Sequence, residues 1–176
     1  MRNGDKTVIV TGASQGIGAG LVTAFLERGY SVVATSRNMA KSKAFVASEK
    51  LALVNGDIGE RATATRIVDL ATSKFRSIDA LVNNAGIFFS KPFTDYTAED
   101  FEALASTNLK GFIYISQLTI KQMLAQKSGG SIVAITTTMA QHPIAGVNAS
   151  VPMITKGGPK RLPVASRWST QRMAFV

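Results

Sequence analysis

Apolar and polar positions alternate between two periods along the chain, and the change of period marks out strand and helix units in turn. Residues 6–11, Lys-Thr-Val-Ile-Val-Thr, form a short β-branched run of the kind that makes a central parallel strand. Leu21, Val22, Phe25 and Leu26 then recur at helical spacing up to Gly29, which reads as a C-terminal stop. The pattern repeats: strands are predicted at 31–35, 51–54, 80–82 and 131–136. Helices are predicted at 39–49, 62–75 and 101–126, the last opened by a capping box of Thr97 and Asp100. Such alternation implies right-handed crossovers and an α/β fold, a doubly wound parallel sheet of about five strands with helices on both faces.

That architecture places ligands beyond the carboxyl ends of the strands. Three features fall on that rim together: the loop Thr11-Gly-Ala-Ser-Gln-Gly-Ile-Gly18, Asp57 after the third strand, and the turn Asn83-Asn-Ala-Gly86 after the fourth. Gly12 allows a sharp turn out of the strand, Gly16 lets backbone approach a pyrophosphate, and Gly18 lets the helix pack close to the sheet. Unpaired N–H groups at the helix start then form a phosphate site. Each of these residues is also ordinary turn chemistry; their convergence on one rim favours a shared site.

Composition narrows the picture. The 176 residues suffice for one domain with a sizeable core. The absence of cysteine excludes disulfides and thiolate metal sites, and no metal site is expected. No apolar run approaches membrane-spanning length, so the expectation is a cytoplasmic protein without membrane partners. The net charge of +9 owes much to Lys160, Arg161, Arg167 and Arg172 in a segment without acids. No aromatic-basic interleaving accompanies it, which argues against nucleic acid.

The T-G-x-x-x-G-x-G loop, Asp57 and the N-N-A-G turn, with Asn108 in Ser-Thr-Asn-Leu, resemble the short-chain dehydrogenase/reductase family in its common short form. The resemblance covers residues 6 to about 158 and implies a Rossmann-like fold. It also implies hydride transfer between a nicotinamide dinucleotide and a small-molecule carbonyl or alcohol. Cofactor contacts implied by it fall on Gly12, Ser14, Gln15, Gly16, Ile17, Gly18, Ser36, Arg37, Asp57, Ile58, Asn84, Ala85, Gly86 and Lys156. In that likeness Asp57 contacts adenine, Asn84 steadies the sheet rim, and Asn108 holds a proton-relay water.

Cofactor choice follows from strand two, which ends in Thr35-Ser36-Arg37-Asn38 with no acid until Glu49. An NAD site wants a carboxylate there for the ribose hydroxyl, whereas Arg37 offers a planar fork for a 2′-phosphate, with Ser36 as partner. The expectation is NADP(H) over NAD(H).

The catalytic half departs from the family. Lys156 matches the family's lysine, but Pro152 stands four residues earlier, where a tyrosine is usual. The tyrosines, Tyr30, Tyr96 and Tyr114, lie elsewhere in the sequence. Thr137 or Thr138 takes the serine position, and the spacing leaves both open. His142 could act as a proton donor from the loop, although a lone loop histidine is more often simply solvated. Pro159 and Pro163 predict a helix stopped within two turns. The reading is therefore a dinucleotide-binding domain over 1–158 and an irregular basic tail over 159–176. The family's last strands are missing from it, as after a truncation or frame shift, and strand five becomes an exposed edge. Three functions are compatible: an NADP(H)-dependent oxidoreductase impaired at the tyrosine position, a non-catalytic dinucleotide-binding protein, or an inactive fragment. Residues 101–126 offer a face for a homo-oligomer.

Overall fold

The computed structural model describes residues 6–39, 44–166 and 173–175. Its centre is a parallel sheet in the order β3-β2-β1-β4-β5-β6. The strands are β1 (Thr7–Thr11), β2 (Ser31–Ser36), β3 (Leu51–Asn55), β4 (Ala80–Asn83), β5 (Gly130–Ala134) and β6 (Met173–Phe175). Helices α1 (Gly16–Glu27), α2 (Arg61–Phe75), α3 (Ala98–Ala105), α4 (Gly111–Ala125) and α5 (Ser150–Ser166) complete it. A π-helical turn, Ser106–Lys110, joins α3 to α4.

Every residue of β1 is buried, as a central strand with helices on both faces requires. Its side chains alternate between two cores. Val8 and Val10 pack with Val22, Val32 and Ala34 on the α1 side. Ile9 packs with Ile67, Leu81, Ile115 and Ile132 on the α2 and α4 side. β1 pairs with both β2 and β4, so the strand order reverses at its edge with β4. The loops leaving β1 and β4 therefore lie side by side, and that adjacency builds the site.

The five expected strands are all present, and the structure corrects the ending. Helix α5 continues through Pro159 and Pro163 to Ser166. Pro152 sits in its first turn, where the missing N–H has no intrahelical partner to lose. Pro159 is buried and lines one small cavity with Phe112, so burial of its ring offsets the lost helical hydrogen bond. β6 then pairs in parallel with β5, Ile132 opposite Phe175, so β5 is not the sheet's edge. The helix expected at 39–49 is also absent over 44–49, which is irregular, and residues 40–43 lie outside the described residues. The pattern at 101–126 is helical but interrupted by the π turn. The Thr97–Asp100 capping box forms as expected, each residue bonding the other's backbone.

Candidate active site

The loop after β1 is shaped by glycine. Gly12 has φ +66°, and a side chain there would also meet Ala85 Cα at 2.8 Å. Gly18 has no room either, since a Cβ would run into the Gly12 carbonyl and lie 2.6 Å from Asn84 Nδ2. Helix α1 thus starts hard against both loops. Its N-cap, Gln15, is extended and makes no side-chain capping bond, and its first turn has no acid. The N–H groups at that end have no capping side chain to satisfy them.

Thr11 and Asn84 lock the two adjacent loops. Thr11 Oγ1 accepts from the Asn84 and Ala85 N–H groups at 3.1 and 3.0 Å. Asn84 Nδ2 donates back to the carbonyls of Thr11 and Gly12 at 3.0 and 3.1 Å. From the next loop, Asp57 Oδ1 accepts from Gly59 N–H at 2.8 Å, which fixes the carboxylate in a tight turn. These loops enclose a cleft of about 580 Å³.

Of the residues singled out from the sequence, Gly12, Ser14, Gln15, Ser36, Arg37, Asp57, Ile58, Ala85 and Gly86 line this cleft. Gly16 and Gly18 lie in the first turn of α1 and are not among the residues that line the cleft, and the Ile17 side chain is largely exposed. Asn84 acts behind the wall through the bonds just described. Among the described residues, Ser36 Oγ makes a single long contact, to Met39 Sδ at 3.6 Å.

Asn108 and Lys156 meet at Gly86. A Cβ on Gly86 would overlap Lys156 Nζ and lie 3.2 Å from Asn108 Oδ1. Asn108 is buried in the π turn, where the widened helix lets its amide face the β4 loop. Its Oδ1 accepts from Ile87 N–H at 3.0 Å, and its Nδ2 donates to the Ile87 carbonyl at 3.1 Å and to Thr155 Oγ1 at 3.0 Å. Burial pushes the Lys156 amine below the ordinary lysine value, and no carboxylate among the described residues pairs with it.

Thr137 and Thr138 stand apart from the cleft lining. Thr137 Oγ1 accepts from Met139 N–H at 3.2 Å and caps a short turn, and Thr138 is exposed. Pro152 is buried one turn before Lys156 on α5 and offers only its carbonyl, which accepts from Thr155 Oγ1 at 3.0 Å.

None of the tyrosines Tyr30, Tyr96 and Tyr114 lines the cleft. Tyr30 packs edge-on against Phe25 at 5.1 Å, and Tyr114 lies beneath Arg61 at 5.7 Å. Tyr96 Oη donates to the Phe89 carbonyl at 3.0 Å and accepts from Lys91 N–H at 3.2 Å. His142 is exposed, its N–H on the Thr138 carbonyl.

Sequence reasoning missed Thr11 and Thr155 as supports of the site. Thr11 ends a β-branched strand and Thr155 directly precedes Lys156, but their partners lie 73 and 47 residues away.

A parallel sheet flanked by helices, with its cleft at the strand-order reversal and a glycine turn as one wall, defines a Rossmann-like α/β protein. Residues 6–150 match the short chain dehydrogenase family, and the chain belongs to that family. It is 33% identical over 169 residues to an uncharacterized oxidoreductase of Staphylococcus saprophyticus, covering 90% of this chain and 72% of the relative. An uncharacterized oxidoreductase of Staphylococcus aureus strain USA300 is 30% identical over 166 residues, with the same coverage. Among solved structures, a 3-ketoacyl-(acyl-carrier-protein) reductase from Brucella melitensis complexed with NADH superimposes with a TM-score of 0.84 at 26% identity. That match covers 95% of this chain and 70% of the reductase. No helix among the described residues is long and apolar enough to cross a membrane.

Proposed function

We propose that this chain is an NADP(H)-dependent oxidoreductase of the short-chain type, acting on a carbonyl or alcohol, in which cofactor binding is intact and proton transfer is impaired. The observation that carries the cofactor choice is Arg37, which lines the cleft at the end of β2 beside Ser36 and Asn38, with no carboxylate in that turn. Its guanidinium suits a 2′-phosphate, and Ser36 Oγ gives up little in leaving a long sulfur contact. The uncapped start of α1 suits the pyrophosphate, because its N–H groups lack a side-chain acceptor. In this reading Asp57 and Ile58 hold the adenine end, and Ala85 and Gly86 form the floor under the nicotinamide ribose.

The bound nicotinamide dinucleotide supplies hydride exchange. Lys156 Nζ, beside Gly86, would donate to the ribose hydroxyls, and Asn108 holds α5 and the β4 loop in register. Thr137 or Thr138 offers a hydroxyl to the substrate oxygen. Pro152 occupies the place from which a proton would be given and has no ionisable group. General acid catalysis is worth roughly 10²–10⁴-fold in rate, so turnover should be slowed by about that much.

The test is NADPH consumption with a panel of aldehydes and ketones by wild type and Pro152→Tyr. A gain of about 100-fold or more in the variant supports an otherwise complete site. Equal rates would show that another group already donates the proton. Pro152 also favours a second reading, a non-catalytic dinucleotide-binding protein. Cofactor binding by both proteins with turnover by neither would select it.

A further inference from the structure

At the start of α5, the structure has an apolar groove of about 440 Å³ between the segment after β4 and the segment before α5. Phe93 forms one wall; Met139, Pro143, Ile144 and Val147 form the other, and Met153 of α5 reaches the floor. Among the described residues no charged side chain lines it, and Asn148 and Ser150 are its only polar residues. Phe93, Ile144 and Val147 are 69%, 56% and 40% exposed, so the groove offers large apolar side chains to solvent.

The groove is preformed. The Asn148 carbonyl accepts from Ser90 Oγ at 2.7 Å and from Lys91 N–H at 3.0 Å, with Tyr96 Oη at 3.4 Å. One carbonyl thus clamps the two walls together, and little ordering remains to be done when a ligand enters. The groove borders the helix that carries Lys156. Met153 precedes Lys156 by three residues on α5, on the same helical face, and Ala140 lies beside Gly157.

We propose that the substrate of this chain is an uncharged, largely apolar ketone or secondary alcohol whose hydrocarbon portion fills this groove. The proposal rests on the oxidoreductase reading above and assigns its substrate class. The volume is that of a small-molecule pocket. A carboxylate or phosphate in it would lose water against Met, Pro, Ile and Val side chains with no cation to replace that water.

Two matched probes test this: benzylacetone, a neutral aryl ketone, and 4-(3-oxobutyl)benzoate, the same ketone with a carboxylate on the ring that would lie in the groove. Binding of each to the full chain is followed by saturation-transfer NMR with and without NADPH, and an NADPH titration is run on the same samples. Benzylacetone is expected to bind at least about tenfold more tightly than 4-(3-oxobutyl)benzoate. Ile144→Asp and Val147→Asp, at exposed positions, are each expected to weaken benzylacetone by about tenfold while leaving the NADPH titration unchanged. Equal or tighter binding of 4-(3-oxobutyl)benzoate, or indifference of benzylacetone to both substitutions, overturns the proposal. If NADPH binds and benzylacetone does not, the substrate class falls alone; if neither binds, the oxidoreductase reading falls with it.

Discussion

Asn108 Nδ2 lies 3.0 Å from Thr155 Oγ1, so a π turn in one helix grips the next helix one residue before Lys156. The same amide carries both hydrogen bonds to the Ile87 backbone. One buried side chain therefore sets the spacing between the β4 loop and α5, and with it the place of Lys156 Nζ against Gly86.

Replacing that amide should be costly. Asn108→Ala leaves the buried Thr155 hydroxyl and the Ile87 backbone with fewer partners, at a cost of about 1–3 kcal/mol. Urea unfolding should show a midpoint lowered accordingly with an unchanged slope. An unchanged midpoint would mean that the bridge does not hold α5.

The two glycines near the start of α1 should behave oppositely on substitution. Gly18→Ala drives a methyl into the Gly12 carbonyl and Asn84, and is expected to lower the thermal midpoint and weaken NADPH binding at least about tenfold. Gly20 has open space around it, and Gly20→Ala should stabilise the helix by about 0.5–1 kcal/mol without changing binding. Equal effects in thermal melts would contradict the close approach at Gly18.

Lys156 sets a pH dependence whose sign follows from its burial. Its folded pKa is depressed below the ordinary 10.5, so below the folded pKa the charge is present in both states and carries its full desolvation cost. Between the folded value and 10.5 the unfolded chain binds more protons, and stability contributed by this group rises with pH. Lys156→Met should therefore be more stable than wild type near neutrality, with the difference shrinking as pH approaches 10.5. Denaturation curves across that range check this, and a difference that stays constant would place the amine in water.

Much of this was legible because burial and periodicity coincide locally. The strand at Thr7–Thr11 and the helix at Arg61–Phe75 show their period within their own residues, and the capping box lies within four. The loops could be brought to one rim because an alternating pattern dictates a parallel sheet. What stayed hidden depends on distant partners. Thr11 and Thr155 are polar residues whose roles appear only when they meet Asn84 and Asn108 from separate segments. Pro159 misled because local propensity argues for a stop, while burial of its ring sustains the helix. The three residues of β6 are too few to display a period at all.

The most direct measurement is a pair of titrations of the purified protein, one with NADPH and one with NADH, followed by nicotinamide fluorescence. An intact site with Arg37 at the ribose predicts saturable binding at least about tenfold tighter for NADPH, and loss of that preference in Arg37→Ala. Equal affinities, a preference for NADH, or no saturable binding of either would contradict it.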